Sequence, residues 1–193
     1  MPRGRTRDEG ARLRVLDAAF ELVGAASPGQ VTINEIAERA GVAKQTIYRW
    51  WPSRTAVMLD ALVRGTMEAT PFRGTDDPRA DFERHLKAVI RLFNSDTGSM
   101  IRELLAEGQA DPEIAAEFRD RFWGPRRELS RSRLVSAVER GLVRDDLDVD
   151  LVLDAIYGPL WLGLLIGHRS LRAGDAARIL DAVWAGIAVG PSA

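Results

Sequence analysis

Apolar residues that recur at helical spacing, each run bounded by a capping residue and a glycine or proline, constrain the fold of this 193-residue chain most strongly. Residues 11–24 carry Leu13, Leu16, Phe20 and Val23 three or four positions apart, which places them on one face of a helix. The chain has no long alternation of β-branched and polar residues and no Asn-Gly or Asp-Gly hairpin turn. The sequence therefore predicts an all-α fold of about nine helices.

Two short helices early in the chain are the most clearly bounded. Thr32 stands three residues before Glu35, which is the spacing of a capping box at a helix start. Gly41 can end this helix in a left-handed conformation. A third helix is expected from about Ala43 to Trp50, and Pro52 ends it. Two short helices joined by a tight turn at a glycine are typical of the helix-turn-helix motif that binds DNA.

Later helices are bounded in the same way. Asp-Pro pairs at residues 77–78 and 111–112 combine a cap with a first-turn proline, so each pair predicts a helix start. The second of these helices should reach about Arg140, with a kink or break at residues 124–125, where a glycine precedes a proline. Asp148 is expected to cap a further helix, and a last helix begins near residue 175.

Composition argues against several classes of protein. The chain has no cysteine, which excludes disulfides and thiolate metal sites and fits a reducing cytoplasm. Its two histidines are far apart, and it has no Gly-rich phosphate loop, HExxH or GxSxG motif, so we expect no enzyme, cofactor or metal site. The most apolar segment, residues 151–166, is interrupted by Asp154, Gly158 and Pro159, so we expect no membrane span.

Charge is distributed unevenly along the chain. Residues 1–55 hold nine Lys or Arg against six Asp or Glu, whereas the remainder holds eighteen against twenty-two. A basic amino-terminal part favours contact with a polyanion. Arg3, Arg5 and Arg7 suit either an arm in the minor groove of DNA or a solvated chain start.

Residues 32–62, TINEIAERAGVAKQTIYRWWPSRTAVMLDAL, with AAFELV before them, resemble the TetR family of transcriptional regulators. One departure is Ala43, where many members have serine, so a phosphate contact or cap from that hydroxyl is lost. The resemblance implies a three-helix DNA-binding domain, placed at residues 1–55, and a helical effector-binding and dimerisation domain at residues 56–193. It further implies a cytoplasmic homodimer that binds a palindromic operator in double-stranded DNA. The resemblance also implies the mode of regulation: the protein is a repressor that a small-molecule effector releases from its operator.

The outer face of the third helix carries the candidate DNA contacts. Its N-terminal end should face base edges in the major groove, where Lys44 suits guanine and Gln45 suits adenine. Aromatic side chains farther along the helix, and polar side chains at neighbouring helix starts, are expected on phosphates. The predicted DNA contacts are Thr32, Lys44, Gln45, Thr46, Tyr48, Arg49, Trp50 and Arg54. Trp51 matches a buried aromatic position of the family, and a solvated surface is the alternative for the outer face.

The resemblance implies that the last two helices pair with those of a second copy as a four-helix bundle. The predicted interface is Leu160, Leu164, Ile179, Val183, Trp184 and Ile187. The predicted effector pocket is lined by Phe93, Met100, Leu104, Phe122, Trp123, Tyr157 and Trp161, with His85 and His168 as possible polar groups. Ordinary core packing is the alternative for both sets. The alternative functions are a DNA-binding dimer without a small-molecule effector and a helical enzyme.

Overall fold

The computed structural model describes residues 3–25, 31–66 and 69–189, and the predicted all-α fold is confirmed over these ranges. The helices are α1 Arg3–Ala25, α2 Ile33–Ala40, α3 Lys44–Trp50, α4 Arg54–Thr66, α5 Pro78–Phe93, α6 Asp96–Ala110, α7 Pro112–Phe118, α8 Gly124–Glu139, α9 Val149–Ile166 and α10 Asp175–Ile187. A π-helical turn, Arg119–Trp123, joins α7 to α8. The helix α1 begins earlier than predicted, and the side chains of Arg3, Arg5 and Arg7 lie outside the described residues.

The predicted capping box at the start of α2 is confirmed. The Glu35 backbone N–H donates to the Thr32 hydroxyl at 3.3 Å, and the Thr32 backbone N–H donates to the Glu35 carboxylate at 2.7 Å. The Thr32 hydroxyl also donates to this carboxylate, at 2.8 Å, and these two bonds lower the pKa of Glu35, the hydroxyl contributing most. At the other end Gly41 has a φ of 64°, as its predicted role as a C-cap requires.

The aspartates predicted to start later helices also act as caps. The carboxylates of Asp77, Asp111 and Asp148 accept backbone N–H bonds from the first turns of α5, α7 and α9, each with one bond of 2.9 Å. The long helix expected after residue 112 is broken as predicted, in the form of the π turn. Pro125 has no N–H to donate to the carbonyl of Arg121 four residues earlier, which explains why the helix widens there.

The described chain divides into two compact units. The first unit comprises Met1–Ala69 and Ser95–Phe122, and in it α1 packs against α2, α4 and α6. Its fully buried apolar side chains include Val15, Ala19, Ile36, Ile47, Val57, Leu62 and Ile101. The domain boundary predicted after residue 55 concerns function and stays a prediction, because these units reflect packing alone.

The second unit comprises Thr70–Asn94 and Trp123–Ala193, with α5, α8, α9 and α10 as its helices. Its fully buried side chains include Phe82, Leu86, Leu153, Ile156, Leu160 and Leu180. The guanidinium of Arg127, only 13% exposed, pairs with Asp150 at 3.2 Å and with Asp154 at 2.7 Å. These ion pairs tie α8 to α9.

Among the described residues, α9 is the one helix long and apolar enough to cross a membrane, judged by length and composition alone. This differs from the expectation drawn from Asp154, Gly158 and Pro159, because two aspartates and one proline leave the mean hydropathy of the helix high. A single such helix is weak evidence for a membrane span, since helices of protein cores share its composition. Its residues Val152, Leu153, Ile156, Leu160, Gly163 and Leu164 are buried in the second unit.

Candidate nucleic-acid interface

The helix α3 is held to the first unit by few side chains. Ile47 is the buried residue of its seven, and Trp51, which follows the helix directly, is only 3% exposed. Its N-cap Ala43 offers no side-chain hydrogen bond, which is the consequence expected from the missing serine. Thr46 and Trp50 are half-buried, and the remaining surface of the helix is open to another molecule.

The outer face of α3 combines cations with aromatic rings. Lys44, Gln45, Tyr48 and Arg49 are exposed, and Tyr48 exposes 47% of its surface. The Lys44 ammonium lies 5.8 Å from the centroid of the Tyr48 ring, and the Arg49 guanidinium lies 5.1 Å from the ring of Trp50. The rings thus hold both cations along the helix, which explains why a surface segment mixes the two kinds of side chain.

The two predicted contacts outside α3 lie in different surroundings. Thr32 is exposed, although its hydroxyl is bonded to Glu35 in the capping box. Arg54 is turned into the first unit, where its side chain is 24% exposed. Its Nε donates to the Val31 carbonyl at 2.7 Å, one terminal nitrogen bonds Glu107 at 3.3 Å, and the other bonds Glu103. The predicted phosphate contact of Arg54 is therefore left out of the proposed interface, because these acceptors already hold the guanidinium.

A buried carboxylate beneath α3 was missed from the sequence. Asp60 on α4 is 7% exposed, and it accepts a 2.8 Å hydrogen bond from the indole Nε1 of Trp51. Arg12 of α1 and Arg121 of the π turn pair with the same carboxylate. In the sequence, Asp60 is a charged residue on the apolar stripe of α4, and this could have indicated a buried ion pair. Its partners could not be predicted, because Arg121 lies 61 residues later in the chain.

The predicted effector residues are divided between the two units. Met100, Leu104 and Phe122 are core residues of the first unit, whereas Phe93, Trp123, Tyr157 and Trp161 belong to the second. In the second unit the rings of Phe93 and Trp161 lie 4.9 Å apart. His168 is exposed just beyond α9.

The second unit also encloses a group of polar side chains around Tyr157. The Tyr157 and Ser130 hydroxyls are 2.9 Å apart, and Ser130 donates to the Arg126 carbonyl at 3.1 Å. The ring of His85, 5% exposed, stacks on Phe72 at 4.6 Å and lies 5.9 Å from the Tyr157 ring. The pKa of His85 is lowered to about 4, mainly by burial. A hydrogen bond to the backbone at residue 71 opposes this shift, and the charge of Arg126 contributes to it.

The atom Nδ1 of His85 is buried and has no hydrogen-bond partner among the described residues. A buried polar atom without a partner is costly and is unusual in a folded protein. Ser130 and Phe72 were missed from the sequence, because separate elements supply them and neither stands in a recognisable pattern. The arrangement provides a hydrogen-bonding position surrounded by rings.

The predicted interface residues of α9 lie on the buried side of the helix. Leu160 is fully buried and Leu164 is 4% exposed, so both belong to the core of the second unit. On α10, Ile179 and Ile187 are buried as well, while Val183 and Trp184 are half-buried. From residue 155 onward α9 is apolar on every side, and its sequence there does not distinguish the inward face from the outward one.

The outward face of α9 carries an apolar stripe of its own. It consists of Leu151, Ala155, Gly158, Leu162 and Leu165, which alternate four and three positions apart. Leu151, Leu162 and Leu165 expose 68%, 55% and 49% of their surfaces. This spacing matches the seam of a helix that packs against another helix.

Comparison with known proteins adds to this geometry. Residues 15–61 match the family described as bacterial regulatory proteins, tetR family, and residues 72–183 match the tetracyclin repressor-like C-terminal domain. The uncharacterized HTH-type transcriptional regulator YdeS of Bacillus subtilis (strain 168) is 38% identical over 164 residues, which cover 85% of this chain and 83% of YdeS.

Two further similarities concern a repressor and a solved structure. The HTH-type transcriptional repressor KstR of Rhodococcus jostii (strain RHA1) is 34% identical over 113 residues, covering 55% of this chain and 51% of KstR. The crystal structure of the TetR family transcription regulator SCO0332 has a TM-score of 0.80 and 31% identity, covering 94% of this chain and 99% of that one.

Proposed function

Because the chain belongs to the TetR family of helix-turn-helix transcriptional regulators, we propose that it is a homodimeric repressor that a small molecule releases from a palindromic operator. The observation that carries this proposal is the outer face of α3, where two cations and the Tyr48 ring are exposed on a helix whose buried residue is Ile47. A helix presented in this way suits the major groove of DNA.

The proposed roles along α3 follow from position. Lys44 and Gln45 lie at the N-terminal end, where side chains reach base edges, and bidentate pairing to guanine or adenine gives sequence preference. Arg49, Tyr48 and Trp50 lie farther along and can donate to phosphate oxygens, which fixes the position of the helix without reading sequence.

The proposed dimer uses the outward stripe of α9. A second copy is the proposed occupant because family members form dimers and because the stripe has the repeat of a helix–helix seam. Two linked DNA-binding domains would then read two half-sites one DNA turn apart, roughly 34–36 Å between recognition helices. The small surface of Gly158 at the centre of the stripe favours close approach.

The proposed effector binds within the second unit, next to His85 and Tyr157. The neutral imidazole offers Nδ1 as an acceptor, so the molecule would carry an O–H or N–H group beside a flat apolar surface. A molecule that binds one conformation better than another lowers DNA affinity by the same coupling free energy. A DNA-binding dimer without such a molecule is the second candidate, favoured if no compound releases the DNA.

The experiment that tests the proposal is selection of bound sequences from a random double-stranded DNA library by the full chain. We expect enrichment of a palindrome, and binding should be lost when about five base pairs are inserted between its half-sites, because half a turn separates the two faces. Binding without sequence preference, or binding that tolerates the insertion, would contradict the mechanism in which two linked DNA-binding domains read two half-sites. Release of the bound chain by cell metabolites separates the two regulator candidates.

A further inference from the structure

The buried carboxylate of Asp60 connects three parts of the first unit. One oxygen accepts from the indole of Trp51 at 2.8 Å and from the guanidinium of Arg12 at 3.0 Å, and the other oxygen accepts from Arg121. A carboxylate that is 7% exposed is stable only when donors replace its lost water. The positions of Trp51, Arg12 and Arg121 are consequently interdependent.

Trp51 is the side chain through which Asp60 affects the proposed DNA-binding surface. It is the C-cap of α3, its backbone N–H bonds the Ile47 carbonyl at 3.0 Å, and its ring meets the Trp50 ring edge-on at 5.6 Å. The Arg12 guanidinium lies 5.5 Å from the centroid of the Trp51 ring. Because α3 has seven residues and one buried side chain, the rotation of Trp51 determines where the end of the helix lies.

Arg121 is a further ion-pair partner of the Asp60 carboxylate and also affects its position. It lies in the π turn, and the chain leaves the first unit directly after Phe122. The hydrogen bonds of a π turn join residues five positions apart in place of four, so a change from one form to the other rotates the side chains within it. Such a change at residues 119–123 would withdraw Arg121 from Asp60 and alter the partners that Trp51 depends on.

We infer that Asp60 is the positioning residue of the recognition helix and that Arg121 couples the π turn to it through their ion pair. This inference rests on the proposed function for its effect on operator affinity. The coupling between Arg121 and the Trp51 indole is a property of the protein alone. The inference can therefore be tested with DNA, through operator affinity, and without DNA, through the Trp51 indole.

The test uses full-length Arg121→Gln and Arg121→Lys, Asp60→Asn, and the double variant Arg121→Gln/Asp60→Asn. The matched control is Asp17→Asn, which breaks the exposed ion pair between Asp17 and Arg64. That pair also joins α1 to α4, and it does not involve the Asp60 carboxylate. Each protein is measured for unfolding, for the Trp51 indole N–H resonance and for affinity to the selected operator and to random DNA.

We expect Arg121→Gln to shift the Trp51 indole resonance and to weaken operator binding about tenfold, whereas Arg121→Lys should restore most of it. The slope of affinity against salt should not change, since no phosphate contact is removed. The double variant should bind no more weakly than Asp60→Asn alone, because both changes break one linkage. If Asp60→Asn does not fold, the comparison of Arg121→Gln with Arg121→Lys still decides whether the ion pair affects Trp51 and operator binding.

Several results would overturn the inference. An unmoved indole resonance in Arg121→Gln would show that the ion pair does not reach Trp51. An equal loss of operator affinity in Asp17→Asn would reduce the effect to general helix packing, and a salt slope lower by about one would make Arg121 a direct phosphate contact. A native chain that selects no operator, with the resonance shift intact, would refute the proposed function and leave the coupling standing.

Discussion

Leu162 and Leu164 lie two positions apart on α9 and face opposite ways, so substitutions at these sites separate assembly from folding. Leu162 is 55% exposed on the outward stripe, whereas Leu164 is 4% exposed in the core of the second unit. We predict that Leu162→Glu yields a folded monomer and that Leu164→Glu destroys the fold of the second unit. Either protein should bind the operator poorly, for different reasons.

The magnitudes follow from exposure. Complete burial of a leucine stabilises by about 1.5–3 kcal/mol, so covering the exposed half of Leu162 contributes about 1 kcal/mol per chain. A symmetric dimer contains two such side chains, and Leu162→Ala should therefore raise the dimer Kd about 30-fold. Glutamate at this position adds a buried-charge cost of several kcal/mol for each chain. Leu164→Ala should instead lower the free energy of unfolding by about 2–5 kcal/mol, through the cavity it leaves.

Light scattering, far-ultraviolet circular dichroism and operator binding distinguish these outcomes. Leu162→Glu should keep its helical signal, scatter as a monomer and lose operator affinity, because two linked DNA-binding domains hold far better than one. A Leu162→Glu protein that stays dimeric with native affinity would show that the outward stripe is not the interface. A folded monomer that binds the operator tightly would refute the mechanism of two linked DNA-binding domains.

Three further predictions concern the DNA-binding surface and the buried histidine. Lys44→Ala or Gln45→Ala should cost about 1–3 kcal/mol at the selected operator and relax its sequence preference; an equal loss on random DNA would assign the residue to phosphate. Arg54→Ala should lower the unfolding temperature with an unchanged salt slope, because its guanidinium is bound by protein acceptors; a slope lower by about one would return it to the interface. The pKa of His85 in the folded protein, about 4, lies below its value in the unfolded chain, so the unfolded state binds a proton first as pH falls. The free energy of unfolding should therefore fall by up to about 3 kcal/mol as pH drops from about 6.5 to 4. A His85→Gln protein with the same pH dependence over that window would refute this assignment.

The parts of the fold that could be predicted from the sequence are those governed by near neighbours along the chain. Thr32 and Gly41 act through bonds to residues three or four positions away, so their type and spacing are sufficient. The ion pairs of Arg54 could not be predicted, because its glutamate partners lie 49 and 53 residues later. Leu162 and Leu164 could not be distinguished, since α9 is apolar on every side from residue 155 onward and only tertiary packing decides which side is covered.

The sparse anchoring of α3 has a consequence for how operator choice can diverge. Since Lys44, Gln45, Tyr48 and Arg49 are exposed, exchanges at these positions alter the molecular surface with little effect on folding. Changes at Ile47, in contrast, would be removed by selection for a folded protein. Duplicated copies of the gene could therefore acquire new DNA targets by a few neutral or nearly neutral steps, each producing a stable protein.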